Sequence, residues 1–358
     1  MKKVFAIILA ALMMCTLFVG CGGSGTYEIA LVTDVGNIDD QSFNQSAWEG
    51  VVKYAEDNDI SYAYYRPTED STDARVESIS AAVEKGAKVV VCPGYLFEEA
   101  VYIAQDQHPD VQFLILDGEP HDAAYNYKTN SNVHCILYQE EQAGYFAGYA
   151  AVMDGYTKLG FLGGMDVPAV VRFGYGYVQG IDDAAAELGI TDQIEVKYWY
   201  SGTFSPSDDI QTKMAGWYSE GTEIVFACGG GIYLSCDTAA TAANAKMIGV
   251  DADQYAALGL ETIVTSAMKG LTNSVVLALT DLYANNGVWP ADKAGSTVSL
   301  GVADDCVGLP TAESSWRFAT YTVEEYNALY EQVKNGEIAI SNAVDAAPDV
   351  AVSVDYQN

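Results

Sequence analysis

Residues 29–50 read Ile29-Ala30-Leu31-Val32-Thr33-Asp34-Val35-Gly36-Asn37-Ile38-Asp39-Asp40-Gln41-Ser42-Phe43-Asn44-Gln45-Ser46-Ala47-Trp48-Glu49-Gly50. The apolar run 29–33 predicts a buried strand, and beyond the polar loop Trp48, Val51, Val52 and Ala55 recur at helical spacing. Strand, loop and helix in that order form the repeating unit of open α/β sheets, whose ligands sit beyond the carboxyl ends of the strands. Asp34 at the strand end, with Ser42, Phe43 and Asn44 where the helix begins, therefore borders one crevice.

The same unit recurs along the chain. Strands are expected at 61–65, 89–92, 113–116 and 133–137, alternating with helices at 74–85, 97–107 and 140–153. The pattern then starts again, with strands at 158–162, 195–199, 223–226 and 246–250 and helices at 170–188, 207–217 and 233–244. A strand at 262–265 follows, then Ser266-Ala267-Met268-Lys269 and a long helix to 283; a strand at 297–300, a helix at 323–333 and a polar end complete the chain. Two βα series of similar size predict an α/β protein of two doubly wound parallel-sheet lobes. A chain of 358 residues exceeds the size at which one core stops growing, which fits two lobes. No low-complexity linker separates them, so several short hinge crossings are expected. The lobes are assigned as 27–135 plus 258–292 and 136–257 plus 293–358.

The N-terminus carries Lys2 and Lys3, an apolar run from Val4 to Leu17, and Phe18-Val19-Gly20-Cys21. A short cationic segment, a brief apolar core and small residues before a cut describe a secretory leader over residues 1–20. A cysteine directly after the cut reads as a lipidation site. Cys21, followed by the Gly22-Gly23-Ser24-Gly25 tether, is expected to anchor the chain to the outer face of the cell membrane; the alternative is an ordinary leader with a coincidental cysteine.

Net charge is −32, from 17 basic and 49 acidic residues, which argues against nucleic acid as a partner because phosphate backbones bind cationic surfaces. Cys92, Cys135, Cys228, Cys236 and Cys306 show no metal-ligand spacing, and an odd number gives no complete disulfide framework. The histidines His108, His121 and His134 are scattered, and no nucleophile motif or metal-binding pair appears, so the chain reads as a non-enzyme without a cofactor.

Three aspartates, Asp34, Asp117 and Asp251, each end a strand and begin a loop. Taken singly, each could merely cap a helix. Taken together, on sheet edges that face each other, they would line a cleft with carboxylates, which suit vicinal hydroxyls or ring N–H groups. Lys269 would be the cation of that cleft. Phe43 is open between packing in the core and stacking on a planar ligand, whereas Trp48 reads as core. Gly229 and Gly230, after a strand and before a helix, could let backbone N–H groups approach a ligand. Tyr233 could add an aromatic face, and Tyr95, just past the break at Pro93-Gly94, joins the candidate set.

These pieces resemble the basic membrane protein family of bacterial substrate-binding lipoproteins, which includes purine nucleoside receptors of ABC importers. The resemblance is carried by Asp34-Val35-Gly36, Ser42-Phe43-Asn44, Trp48-Glu49-Gly50 and Leu116-Asp117. It continues in Gly163-Gly164-Met165-Asp166-Val167-Pro168 through Phe173, in Gly249-Val250-Asp251-Ala252-Asp253-Gln254, and in Ser266 to Lys269. It implies a type I periplasmic-binding-protein fold with a hinge and a ligand cleft. Phe43 would stack on the base, with Asp34 and Asn44 beside it, while Asp117, Asp251 and Lys269 would hold the sugar. The family's glycine loop, usually Ala-Gly-Gly-Thr-Gly, departs here to Cys228-Gly229-Gly230-Gly231-Ile232. The expected function is capture of a nucleoside, foremost a purine nucleoside, by a monomeric receptor that delivers it to ABC permease subunits. A sugar receptor of the same fold and a surface nucleoside hydrolase are the rivals.

Overall fold

The computed structural model describes residues 26–357. The leader over 1–20 and the Cys21 anchor with its glycine tether lie outside the described residues. β1 (Ile29–Val32) is buried along its whole length, as a continuous apolar run should be in a parallel sheet covered on both faces. α1 (Phe43–Asp57) follows, then β2 (Tyr62–Tyr65), α2 (Thr72–Glu84), β3 (Val89–Pro93), α3 (Glu98–Gln107), β4 (Gln112–Leu116) and β5 (Val133–Tyr138). After α4 (Glu140–Met153) come β6 (Lys158–Gly163), α5 (Pro168–Leu188), β7 (Glu195–Tyr200), α6 (Asp208–Ser219) and β8 (Ile224–Cys228). They are followed by α7 (Tyr233–Ala243), β9 (Lys246–Asp251), α8 (Gln254–Leu258), β10 (Ile263–Lys269) and α9 (Leu271–Ala284). The chain closes with β11 (Ser296–Leu300), β12 (Val307–Gly308), α10 (Val323–Lys334) and β13 (Ser353–Gln357).

Two sheets result, in the orders β11-β5-β4-β3-β1-β2 and β12-β10-β9-β8-β6-β7-β13. Every pairing is parallel except β10 with β12. This is the type I periplasmic-binding-protein architecture, with the carboxyl ends of both sheets meeting at a cleft.

The lobe membership differs from the expected division at two strands. β10, expected in the first lobe, pairs with β9 in the second sheet, and β11, expected in the second, pairs with β5 in the first. The hinge segments thus lie after β5, after β10 and between β11 and β12. β10 also runs on through Ser266–Lys269, past the expected strand end at 265, because Ala267 and Met268 continue the ladder on β9. The polar end hides β13, whose Val354 and Tyr356 pair with β7.

α4 and α5 lie unusually close, and glycines on both explain it. A Cβ on Gly144 would sit 2.0 Å from the carbonyl oxygen of Phe173, and one on Gly148 2.1 Å from that of Tyr177. From the other side, Gly176 and Gly180 would each place a Cβ 2.0 Å from the carbonyl oxygens of Glu141 and Tyr145. These distances are far inside van der Waals contact, so only backbone without side chains fits. The crossing sets Glu140 and Phe173 beside the hinge. Gly176→Ala should therefore wedge the helices apart and cost about 3 kcal/mol, at the upper end of overpacking penalties, as read by urea denaturation. A loss under about 1 kcal/mol would show that the crossing tolerates a methyl group.

Candidate functional site

The loop after β1 is built around Asp40. Its carboxylate accepts from the backbone N–H groups of Ser42 (2.9 Å), Asn44 (3.0 Å) and Gln45 (3.0 Å), so it caps α1. Ser42 occupies the N-cap position, but its side chain makes no capping bond. Its hydroxyl instead donates to Asp251 Oδ2 at 2.5 Å, across the cleft from the other lobe. Gln254 Nε2 adds a second bridge, donating to the Gln41 carbonyl at 3.1 Å.

Asp34 ends the β1 segment with one oxygen committed to the protein. Oδ1 accepts from Gly36 N (2.6 Å) and Asn44 Nδ2 (2.9 Å), while Asn44 Oδ1 accepts from Asp34 N (3.3 Å). Oδ2 borders the cleft near the edge of Phe43: a Cβ placed on Gly94 would lie 3.5 Å from it and 3.4 Å from Phe43 Cε1. Asp117 and Asp251 leave their strands in the left-handed region, with φ of 55° and 65°, a conformation Asp tolerates better than most residues.

Lys269 joins these acids. It is the last residue of β10, its side chain is 2% exposed, and it pairs closely with Asp117. Glu140 Oε1 lies at 3.3 Å and Asp251 Oδ1 at 3.8 Å. Three rings surround the ammonium, with centroids 4.8 Å away for Phe43, 5.2 Å for Tyr138 and 5.4 Å for Phe173. Glu140 is itself fully buried and accepts from Arg172 Nε at 2.6 Å. Asp117 Oδ1 is buried with no hydrogen-bond partner among the described residues.

Burial pushes Asp34 up to about 6 and Asp117 up to about 7, the latter assisted by Glu140 and opposed by Lys269. Asp251 is also raised by burial. Burial would raise Glu140 too, but Arg172 and Lys269 bring it below its ordinary value. Lys269 is disfavoured by burial, yet Asp117, Glu140 and Asp251 more than compensate, so it stays charged. Asp34 ordinarily titrates at 3.8, so the folded chain holds more protons than the unfolded chain between that value and about 6. Stability from this group is therefore present at low pH and lost as pH rises through that window. Asp34→Asn, which keeps an acceptor for Gly36, should raise stability by about 1–3 kcal/mol at about pH 7.5 and far less at about pH 4. Melting temperatures at the two pH values check this, and a destabilised variant at neutral pH would contradict it.

The empty space of the cleft, open solvent included, is about 780 Å³. Asp34, Phe43, Asn44, Tyr95, Asp117, Phe173, Gly229, Gly230, Asp251 and Lys269 all line it. Ser42 stands behind Asp251 as its hydrogen-bond donor. Tyr233 is not among the residues lining the cleft; it is buried with Ile210, Met214 and Cys236, although cleft-lining Asp40 is near enough to act on its hydroxyl. The aromatic wall expected of it comes from Phe204, in the loop after β7. Phe204 lies across the glycines, where a Cβ on Gly164 would come within 2.4 Å of its ring and one on Gly229 within 2.9 Å. Gly229 and Gly230 have φ of 144° and 49°, so the loop admits this ring as well as facing the cleft. Sequence reasoning also missed Asp40, Glu140 and Arg172. Trp48, expected in the core, is only partly buried and meets Tyr62 and Tyr64 at 5.5 Å. The five cysteines are free and buried, and no group of metal-binding side chains occurs among the described residues. No described helix is long and apolar enough to cross a membrane.

A family profile described as "ABC transporter substrate-binding protein PnrA-like" matches residues 28–343. A relative from Lactococcus lactis, named ABC transporter nucleoside-binding protein BmpA, is 30% identical over 71% of this chain and 74% of its own length. Basic membrane protein B of Borreliella burgdorferi is 26% identical over 87% of each chain. Among solved structures, an ABC transporter solute-binding protein from Aeropyrum pernix superposes with a TM-score of 0.73 at 21% identity, covering 89% of this chain and 94% of that one. An arabinose-binding protein from Geobacillus stearothermophilus follows the same fold at a TM-score of 0.59 and 13% identity, covering 82% of this chain and 100% of that one.

Proposed function

This chain belongs to the Bmp family of PnrA-like ABC transporter substrate-binding proteins, and from that premise we propose that its ligand is a purine nucleoside. The family is one of binding proteins and not of enzymes, so the hydrolase alternative falls away. The observation that carries the nucleoside reading is the pairing of two kinds of wall in one cleft. Phe43 and Phe204 offer flat apolar faces, while Asp117 and Asp251, bridged by Lys269, offer buried carboxylates from opposite lobes. A base needs the first and a ribose diol needs the second. The nucleoside-binding name of the Lactococcus relative supports the same choice.

Capture proceeds by hinge closure. Ser42 with Asp251, Gln41 with Gln254 and Lys269 with Asp117 join the lobes, and a ligand touching both walls favours the closed form by its differential contacts. The ribose hydroxyls donate to the carboxylates of Asp117 and Asp251, which line the cleft from opposite lobes. The closed receptor then delivers its cargo to permease subunits outside the membrane, held there by the lipid on Cys21 and acting as a monomer. The arabinose-binding neighbour shows only the shared fold at its level of identity. Ligand retained through purification tests the reading. Acid release should yield a compound with a purine ultraviolet spectrum and the mass of a nucleoside; release of a free sugar would overturn it.

A further inference from the structure

Resting on the nucleoside reading, we propose that the cleft admits the free nucleoside and rejects its 5′-phosphate, so that a 5′-nucleotide becomes a ligand only after phosphomonoester hydrolysis outside the membrane. A phosphomonoester carries nearly two negative charges at neutral pH. Proteins hold such groups with cations, glycine-loop N–H groups or helix N-termini. At this cleft the one lysine and the start of α1 are already engaged by partners from the protein itself, and the other charged lining residues are acids.

Lys269 is the one cation lining the cleft among the described residues, against Asp34, Asp40, Asp117 and Asp251. Its ammonium is held by Asp117, Glu140 and Asp251, and the nearby Arg172 is bound to Glu140. In the glycine loop, the Gly231 N–H donates to the Phe204 carbonyl at 2.8 Å, and the Phe204 ring lies against Gly229. At the start of α1, the Asn44 and Gln45 N–H groups both donate to the Asp40 carboxylate. A phosphate entering here would meet several carboxylates and no unengaged cation, in a setting where like charges repel strongly. Uncharged hydroxyls meet no such barrier.

The reaction that turns the rejected nucleotide into a ligand is a hydrolysis. A water oxygen bonds to phosphorus, the bond from phosphorus to O5′ breaks, O5′ takes a proton, and inorganic phosphate leaves. No oxidant or reductant is required.

Calorimetric titration of the full soluble chain with inosine and with inosine 5′-monophosphate tests the proposal. The monophosphate should bind at least about 100-fold more weakly at neutral pH, and treating it with alkaline phosphatase should restore the inosine isotherm. A ratio below that would overturn the proposal. Absence of binding by inosine, both before and after phosphatase treatment, would instead overturn the nucleoside reading on which it rests.

Discussion

Lys269→Met should abolish ligand binding and remove roughly 3–5 kcal/mol of folding stability at neutral pH, the usual cost of breaking a buried ion pair from one side. Methionine fills most of the volume, so the loss is electrostatic. Without the ammonium, Asp117 and Asp251 remain buried with their main counter-charge gone, and Glu140 keeps only Arg172. These carboxylates then bind protons more tightly in the folded state than in the unfolded state. The penalty must therefore shrink as pH falls towards 5 and grow towards 8. Urea denaturation at several pH values separates this from a packing defect, whose cost would not vary with pH. A variant as stable as the parent at neutral pH would refute the role given to Lys269.

Phe43→Ala should weaken nucleoside binding by about 1–3 kcal/mol, the range measured when an aromatic stacking partner is removed from a base. The ring is only partly buried in the empty space of the cleft wall, so the same change should cost less stability than truncating a fully buried Phe such as Phe113. Comparing ligand affinity and melting temperature for the two truncations distinguishes a stacking platform from a core residue. Unchanged affinity with a large loss of stability would return Phe43 to the core.

Much of this arrangement was legible before any coordinates. Strand ends are readable because apolar runs stop abruptly, which is why Asp34, Asp117 and Asp251 stood out, and an isolated lysine in so acidic a chain drew notice to Lys269. The structure brings these four to one cleft with Phe43. What escaped notice depends on contacts between distant residues. Glu140 looks like an ordinary acid in the first turn of a helix, and only the fold brings Arg172 and Lys269 to it. Phe204 lies in a run of Ser, Gly, Thr and Pro that reads as a turn, and its place is set by glycines on two other loops. Asp40 is one of two adjacent loop acids, and nothing local says which of them caps α1.

Tyr233 is the opposite case, because its periodicity was informative. Tyr233, Cys236 and Ala240 recur on one helix face and pack together in the second lobe's core. Its position after a glycine run suggested the site, and the apolar spacing was the better guide. The exchange of β10 and β11 between lobes had no local signal either, since hinge crossings are defined by which sheet a strand joins.

On the proposed function, one cleft reads a base on aromatic faces and a ribose on carboxylates. Isothermal titration of inosine, guanosine and adenosine alongside free ribose and arabinose addresses both halves at once. Purine nucleosides should bind tightly and one to one, with no measurable binding of either free sugar. Tight binding of ribose or arabinose with none for any nucleoside would contradict it.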